Sequence, residues 1–343
     1  DGKTTPPAVA RHGHLAGFVD DGASHAAIEV SSHALTQQRV DGVRFDTALF
    51  TNLSRDHLDY HTDMHEYFAS KAQLFTACDP RHRIINIDSE YGLQLAALCG
   101  QDVVTVSTQF DRVANGRPYL FVRSVVATGQ GSDVAFTSAW GDGSFCLNMP
   151  GDFNVANAAL VLAFLLMKGV AVEQACDIMS QLDAPPGRMQ RVATDGPAVF
   201  VDYAHTPLAL EGALRALRAH CRGRLWCVFG CGGDRDRGKR LQMGKAAERQ
   251  SDLVVITTDN PRTEDPSAIV NDIVAGLAHP EKVTVIEDRA AAIAWAIDRA
   301  ATDDIVLVAG KGHEEYQEVS GERTAFSDHA VASKALAAKA GAQ

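Results

Sequence analysis

This sequence of 343 residues lacks a long apolar run, a basic run and paired cysteines. No segment approaches the roughly 20 consecutive apolar residues that span a bilayer, and no signal-peptide pattern opens the chain, so we predict no membrane association. The net charge of −11, without a cluster of basic residues, argues against a nucleic-acid partner and favours small-molecule ligands. The seven cysteines occur without CxxC pairs, which predicts reduced thiols in the cytoplasm rather than a disulfide framework or a zinc site.

Two common nucleotide-binding signatures are absent or incomplete. No GxGxxG follows a predicted strand, which argues against a dinucleotide-binding oxidoreductase. The first five residues (DGKTT) contain the GKT of a phosphate-binding loop, but neither a strand nor a glycine-rich run precedes it. The GKGHE stretch at 310–314 lacks the spacing and the Ser or Thr of such a loop. Neither stretch therefore predicts a P-loop.

What the sequence does contain is clearest in its second half. Five apolar runs alternate there with helical segments, at 198–201, 225–229, 253–257, 283–286 and 305–309. This pattern predicts a doubly wound α/β domain with a parallel sheet. Most of the runs end in polar or glycine-rich loops, at 202–205, 230–235, 259–262 and 310–314. Each loop alone is compatible with a plain turn, but together they predict a site for an anionic, zwitterionic or nucleotide ligand at one sheet edge.

The charges in these loops are of both signs. Arg235 and Arg262 can each form a bidentate pair with a carboxylate, whereas Asp259 and Glu314 can accept hydrogen bonds from ammonium groups. This combination predicts recognition of an amino acid.

In the first half, the stretch 52–71 is rich in groups that bind a metal or a phosphate. It follows a short apolar run at 47–51, which predicts a buried parallel strand. Its loop holds Asp56, His57, Asp59, His61 and Asp63, and the following helix places Lys71 on the same face as its apolar residues. A desolvated lysine has a lowered pKa and can add carbon dioxide to give an anionic carbamate. The alternative is a lysine that extends to the surface at the edge of that face.

Other segments complete the prediction. We expect an amphipathic helix over 8–19, and a strand at 26–30 that carries Glu29 near its end. Further strands are expected at 83–88 and 103–107, and an antiparallel meander at 119–149. A helix begins near Asn154, where the asparagine alone would be a cap, and the stiff 184–187 stretch (APPG) is a candidate linker.

Several of these motifs, in this order, resemble one family. The EVSSHAL run at 29–35, the FTNLSRDHLDYH run at 50–61 and Lys71 are similar to the central ATPase domain of the Mur ligases, specifically the MurE branch. The DNPR loop at 259–262 resembles the signature of the branch members that add meso-diaminopimelate. At 187–190 the family pattern GRME is GRMQ here.

The resemblance implies a fold and a domain division. It implies an α/β protein with a truncated Mur-ligase central ATPase domain over residues 1–186, followed by a doubly wound Rossmann-like C-terminal domain over 187–343. A Thr-Thr-Pro element at 4–6 matches a substrate-binding element of the family, and the family's P-loop lies further upstream. We therefore expect an N-terminally truncated chain, without the uridine-binding domain and the P-loop.

The resemblance also implies site residues. It assigns the metal site, for Mg²⁺, to Glu29, His57 and Lys71 as a carbamate, and these three are also the catalytic residues. The UDP-muramoyl-dipeptide contacts are Thr4, Thr5, Ser31, Gln37 and Arg39. The diaminopimelate contacts are Arg235, Asp259, Asn260, Pro261, Arg262, Gly310 and Glu314. The ATP contacts are Asn154, Asn157, Arg188, Asp202, Tyr203 and His205.

The activity implied is ATP-dependent addition of meso-diaminopimelate to UDP-MurNAc-L-Ala-D-Glu through an acyl phosphate, by a cytoplasmic monomer in peptidoglycan precursor synthesis. Three alternatives stay open at this point. One is a related ligase, namely a lysine-adding MurE, a MurF or a folylpolyglutamate synthase. Another is a fragment that binds ligand without catalysis. The third is the oxidoreductase already considered.

Overall fold

The computed structural model describes residues 5–54, 60–109, 116–128, 131–192 and 196–341. The chain divides into two compact units, and each is described by itself. The first unit comprises residues 1–124, 135–144 and 156–177, and the second comprises 125–134, 145–155 and 178–343. The division predicted between residues 186 and 187 stays a prediction. Among the described residues, no helix has the length and apolar character needed to cross a membrane.

The first sheet contains six strands in chain order, and β1 to β4 pair in parallel. Its strands are β1 (Thr47–Phe50), β2 (His82–Asn86), β3 (Val104–Ser107), β4 (Tyr119–Ala127), β5 (Ser132–Ser138) and β6 (Gly143–Leu147). The helices of this part of the chain are α1 (Ala8–Asp20), α2 (Ser32–Thr36), α3 (Met64–Ala72), α4 (Glu90–Leu98), α5 (Asp152–Met167) and α6 (Val172–Ser180). The three strands of the predicted meander therefore extend the sheet beyond β3.

Three local predictions need correction. Residues 26–30 are not a strand: they have no regular secondary structure, pair with none of the described strands and lead to Ser31, the N-cap of α2. Strand β1 is parallel as predicted but only half buried, because Leu49 is exposed. Helix α1 forms, but its apolar residues Val9, Phe18 and Val19 are exposed and its buried residue is Arg11. The guanidinium of Arg11 donates to the carbonyl of Asp41, and this bond holds the helix in place.

The second sheet confirms the predicted doubly wound pattern. Its order is β11-β10-β9-β12-β8-β7, with parallel pairing throughout except for the antiparallel edge strand β7. The strands are β7 (Gln190–Val192), β8 (Ala198–Asp202), β9 (Leu225–Phe229), β10 (Leu253–Ile256), β11 (Thr284–Val285) and β12 (Ile305–Ala309). A hairpin of β13 (Tyr316–Val319) and β14 (Glu322–Ala325) follows.

Helices cover both faces of this sheet because the side chains alternate along each strand. Cys227 and Phe229 of β9 belong to one apolar cluster, which also contains residues of α7 (Pro207–Arg218), α8 (Gly238–Gln250) and α9 (Pro266–Val274). Trp226 and Val228 belong to the opposite cluster, with residues of α10 (Arg289–Arg299) and α11 (Asp328–Gly341). Burial on both faces leaves the strand ends as the place where polar loops can gather.

Candidate functional site

The polar loops of the second unit follow four neighbouring parallel strands, as predicted. Strands β10, β9, β12 and β8 are adjacent in the sheet, and the chain order reverses between β9 and β12. Ligands of open α/β sheets bind outside the carboxyl ends of the strands at such a reversal. The structure therefore brings the predicted amino-acid site together at the expected edge.

The loop after β10 meets the loop after β12 through side chains. Asn260 is buried, and its Nδ2 donates to Glu314 Oε2 at 2.8 Å, while its Oδ1 accepts from the backbone N–H of Glu318 at 3.0 Å. Asp259 is buried beside Gly310, where an added Cβ would lie 2.7 Å from Asp259 Oδ2. Only a glycine allows that approach, and Gly310 also has a φ of +116°.

Lys311, between these residues, was missed by the sequence prediction. Its side chain is 0% exposed, and its Nζ donates to Asn260 Oδ1 at 2.8 Å and to Glu314 Oε2 at 3.1 Å. Burial raises the pKa of Asp259, whereas the positive charges of Arg289 and Lys311 oppose that rise. In the sequence, Lys311 appeared only as part of an imperfect phosphate-binding motif.

Arg262 lies beside the loop after β9. Its Nη1 donates to the carbonyl of Gly233 at 2.7 Å, and its backbone N–H donates to the carbonyl of Glu318 at 3.0 Å. Arg262 has a φ of +52°, a strained value for a residue with a side chain. A Cβ at Gly232 would lie 2.9 Å from Arg262 Nη1 and 3.8 Å from Arg235 Cγ, so both arginines flank this glycine. Arg235 is exposed and Arg262 is half-buried.

Two buried arginines hold these loops, and neither was singled out from the sequence. Arg240 donates to Glu264, to Asp272 and, at 3.3 Å, to the carbonyl of Gly232. Arg289 forms a two-bond pair with the buried Asp328, at 2.7 Å for each bond.

Arg289 also reaches the ends of two strands. Its guanidinium donates to the carbonyl of Thr258 at 3.1 Å and to that of Ala309 at 2.9 Å. The ends of β10 and β12 are therefore tied to one buried cation.

The predicted nucleotide residues of this unit also lie together. Asp202 accepts from the backbone N–H groups of Met189 at 2.7 Å and Ala204 at 2.8 Å, although burial raises its pKa. The guanidinium carbon of Arg188 lies 4.6 Å from the centre of the Tyr203 ring, and the His205 ring is 4.6 Å from the same ring. Arg188 and His205 are exposed, so the guanidinium and the imidazole of this stack are both accessible to a ligand.

The segment 184–189, here called the strap, carries Arg188 and packs directly on the loop after β12. Gly187 has a φ of +66°, and an added Cβ would lie 2.0 Å from the backbone nitrogen of His313. Gly312 is equally tight, with Tyr203 Cβ at 2.7 Å from its added Cβ. Gln190, which replaces the acid of the family pattern, accepts from the backbone N–H of Gly187 at 2.8 Å. These contacts join the predicted nucleotide residues to the loop of Gly310 and Glu314.

Asn154 and Asn157 lie in the first turns of α5. Asn154 is not the N-cap: its Nδ2 donates to the carbonyl of Pro150 at 2.8 Å. Asn157 is exposed on the same helix. Their predicted contact with adenine stays a prediction.

In the first unit, the described residues predicted for the UDP-muramoyl dipeptide form one network. Thr5 is buried; its Oγ1 donates to the carbonyl of Glu29 at 2.9 Å and accepts from the backbone N–H of Ser31 at 3.1 Å. Arg39 donates to the carbonyl of Thr5 at 3.2 Å and to the side chain of Gln37. Thr4 lies outside the described residues.

Lys71 and Glu29 lie near this network. Lys71 is half-buried on α3, and its Nζ donates to the carbonyl of Val30 at 3.3 Å. Burial lowers the pKa of Lys71, and the charge of Glu29 partly opposes that change. The predicted desolvation is thus present, and the amine does not simply extend into solvent. Glu29 itself is exposed, and His57 lies outside the described residues.

His61, another histidine of this loop, is buried. Its Nε2 is 2.9 Å from Ser32 Oγ, and its ring stacks on Tyr67 at 5.2 Å. Over the part of the chain that the structure describes, no three His, Cys, Asp or Glu side chains gather as a metal site. All seven cysteines are free thiols.

Comparison with known proteins confirms the resemblance seen in the sequence. A model of the Mur ligase middle domain matches residues 1–165, and one of the Mur ligase, glutamate ligase domain matches residues 187–312. Two curated proteins from Haemophilus influenzae strains, both UDP-N-acetylmuramoyl-L-alanyl-D-glutamate--2,6-diaminopimelate ligases, are 46% and 45% identical to the chain over 331 and 330 residues. Each alignment covers 96% of the chain and 67% of the relative.

Solved structures agree. A UDP-N-acetylmuramoyl-L-alanyl-D-glutamate--2,6-diaminopimelate ligase structure matches 98% of the chain and 69% of its own length, with a TM-score of 0.71 and 35% identity. Mycobacterium tuberculosis folylpolyglutamate synthase matches 86% of the chain and 68% of its own length, with a TM-score of 0.64, but at 20% identity it shares the fold alone. On these matches and on the α/β architecture that accompanies them, the chain belongs to the Mur ligase family.

Proposed function

We propose that this protein adds meso-diaminopimelate to the D-Glu carboxylate of UDP-MurNAc-L-Ala-D-Glu, with ATP as the energy source. The observation that carries the proposal is the arrangement of Asp259, Asn260, Arg262 and Glu314 at one sheet edge. The chain's 46% identity to a diaminopimelate-adding ligase of Haemophilus influenzae supports the same assignment.

The amino-acid site would bind the charged groups at both ends of diaminopimelate. Diaminopimelate differs from lysine by a second carboxylate, and the Arg262 guanidinium can pair with it bidentately. We assign Arg235, on the other side of Gly232, to the same site, together with Pro261 and Gly310. Asp259 and Glu314 would accept from the amino groups. Lysine would leave an arginine unpaired in a site built for an anion, and such a mismatch discriminates by about 10⁴-fold in comparable sites.

We assign the nucleotide to Arg188, Asp202, Tyr203 and His205, with Asn154 and Asn157 toward the adenine. The exposed guanidinium of Arg188 and its stacking on Tyr203 support this assignment, because a cation beside a ring suits a nucleotide phosphate. The strap at Gly187 fixes the start of this region against the loop of Gly310 and Glu314.

We assign the UDP-muramoyl dipeptide to Thr4, Thr5, Ser31, Gln37 and Arg39. The cation of Arg39 suits the anionic substrate, and its bond to the carbonyl of Thr5 fixes its direction. The D-Glu carboxylate is the group that must reach the phosphate donor.

The residues Glu29, His57 and Lys71 would hold Mg²⁺. As an ammonium, Lys71 repels a cation, so the fit requires the carbamate, and the lowered pKa of the half-buried amine supports its formation. When bound, Mg²⁺ neutralises phosphate charge during phosphoryl transfer.

The chemistry then follows in two balanced steps. A D-Glu carboxylate oxygen attacks the γ-phosphorus of ATP, the bond to the β-phosphate oxygen breaks, and ADP leaves. The neutral amine of diaminopimelate attacks the acyl carbon of the acyl phosphate, the nitrogen releases a proton to solvent, and the C–O bond to phosphate breaks, so that the amide forms and inorganic phosphate leaves. Asp259 and Glu314 orient the diamino acid, and Arg262 holds its distal carboxylate.

We also infer a monomer that acts on small molecules in the cytoplasm, within peptidoglycan precursor synthesis. Seven free thiols fit a reducing compartment.

Phosphate release from ATP tests the proposal. The assay contains the protein, Mg²⁺, bicarbonate, UDP-MurNAc-L-Ala-D-Glu and either meso-diaminopimelate or L-lysine. We expect release that depends on diaminopimelate and is absent without the dipeptide substrate. Release that depends on lysine, or that is unaffected by either amino acid, would contradict the proposal.

A further inference from the structure

Lys311 is a completely buried cation at the centre of the candidate amino-acid site. Besides its bonds to Asn260 and Glu314, its Nζ lies 3.9 Å from Asp259 Oδ1 and 5.4 Å from the centre of the Tyr316 ring. An ammonium taken out of water is costly unless acceptors and counter-charges surround it. Asn260 and Glu314 accept hydrogen bonds from Lys311, and the carboxylates of Asp259 and Glu314 are its counter-charges. The residues that balance its charge are therefore those we assign to substrate binding.

Lys311 also fixes the orientation of the Asn260 amide. The Oδ1 atom accepts from both Lys311 Nζ and the backbone N–H of Glu318, so the oxygen must face Lys311 and the amide NH₂ must face Glu314. A reversed amide would place its NH₂ against the ammonium and would lose all three bonds. The orientation is therefore set jointly by Lys311, the backbone N–H of Glu318 and the carboxylate of Glu314.

The bonds to Glu314 leave part of the carboxylate for a ligand. Both Lys311 Nζ and Asn260 Nδ2 donate to the same oxygen, Oε2. The second oxygen, Oε1, keeps its capacity to accept from an amino group. Lys311 and Asn260 thus hold the Glu314 carboxylate through Oε2 and leave Oε1 for the ligand.

We propose that Lys311 is a positioning residue of the amino-acid site, whose buried ammonium holds Asn260 and Glu314 in the arrangement that receives an amino group of the diamino acid. The inference rests on the proposed function, since it names a further determinant of the same site. This role also explains why a charged side chain is kept at 0% exposure, where it cannot contact the substrate directly.

Lys311→Met in the full-length protein tests this role. Methionine keeps an unbranched chain of similar length and removes the charge and the donors. We expect the KM for diaminopimelate to rise about 10- to 100-fold, the usual effect of losing a hydrogen bond to a charged group. The KM for ATP and for the dipeptide substrate should stay the same. Lys334→Met, at an exposed lysine of α11, is the matched control and should change none of these constants.

A merely structural role gives a different pattern. It would change all three KM values together in the folded variant, and that result would overturn the proposal. If Lys311→Met does not fold, Lys311→Gln keeps a donor without the charge, and the same split between KM values is expected from it.

The two levels of inference fail separately. If the wild-type protein releases phosphate with lysine or another amino acid instead, the proposed function fails, and the KM split is then measured with that amino acid. If the wild type uses diaminopimelate and Lys311→Met leaves its KM unchanged, only the role of Lys311 fails.

Discussion

The two candidate sites differ in what holds their side chains in place. In the second unit, Asn260, Lys311 and Glu314 bond to one another through side chains, over the buried pair of Arg289 and Asp328. In the first unit, the principal bonds of Thr5 and Lys71 go to backbone carbonyls. Glu29 and Gln37 are exposed there.

This difference indicates that the site in the second unit is preorganised for its ligand and that the one in the first unit is less so. A side chain whose partners are buried side chains keeps its orientation without ligand, and the binding free energy is then not spent on ordering it. A side chain held by one backbone carbonyl can change partner when ligand arrives. Substitutions in the second unit should therefore affect stability, whereas those near Lys71 should affect chemistry with little effect on folding.

Lys71→Ala gives the largest expected effect. Loss of the group that would complete the metal site should lower kcat by about 10³-fold, as for removal of one preorganised charge-stabilising group. Unfolding in urea should remain close to that of the wild type. Lys71→Arg, which keeps a cation but cannot form a carbamate, should be as inactive, and Lys168→Ala on the surface of the same unit should retain activity. A fully active Lys71→Ala variant would remove Lys71 from the mechanism.

Arg289→Met tests the preorganised side of the comparison. It leaves Asp328 buried without its partner, and breaking such a pair costs about 3–5 kcal/mol of unfolding free energy. The double variant Arg289→Met/Asp328→Leu removes both charges and should recover part of that loss. Arg299→Met, at an exposed position of α10, should cost less than about 0.5 kcal/mol. Urea unfolding measures all three, and an equal cost for Arg289→Met and Arg299→Met would refute the assignment.

Gly187→Ala tests the contact between the strap and the loop after β12. The new Cβ would meet the backbone of Gly312 and His313, and a positive φ adds strain, so we expect about 2–3 kcal/mol of destabilisation. Gly321→Ala is the matched control, because Gly321 has a φ of +80° but no atom within 4 Å of its added Cβ. It should cost about 1 kcal/mol. Equal losses would show that only φ matters.

The smallest expected effect is the pH dependence that Lys71 gives to stability. Burial lowers its folded-state pKa below the ordinary value of 10.5. At a pH between the folded-state and unfolded-state pKa of Lys71, the unfolded chain binds more protons than the folded one. The unfolding free energy should therefore rise with pH over that range. Lys71→Met should remove that rise and leave the rest of the profile unchanged. Urea unfolding from pH 7 to 10 compares the two proteins, and parallel profiles would contradict the desolvation of Lys71.

The sequence predicted the second unit better than the first, for a physical reason. Strands buried on both faces appear as continuous apolar runs, and 225–229 and 305–309 coincide with β9 and β12. The run at 26–30 has fewer apolar residues, with Glu29 inside it, and it has no ladder partner among the described strands. Composition alone does not show whether a neighbouring strand is present.

The site was only partly predictable for a related reason. Loops at the carboxyl ends of parallel strands converge by topology, so Asp259, Arg262 and Glu314 could be grouped from the sequence. The burial of Lys311 and Arg289 depends on which acceptors surround them in three dimensions, and sequence spacing does not specify those. Charged residues beside glycines in strand-end loops are the signal that could have found Lys311.

One competition experiment tests the central claim that the second unit reads the distal carboxylate of a diamino acid. Equimolar meso-diaminopimelate and L-lysine are supplied with ATP, Mg²⁺ and UDP-MurNAc-L-Ala-D-Glu, and the mass of the nucleotide product is measured for the wild type and for Arg262→Ala. We predict the diaminopimelate adduct alone from the wild type, and a loss of that selectivity of about 10- to 100-fold in the variant. A lysine adduct from the wild type, or unchanged selectivity in Arg262→Ala, would contradict the account.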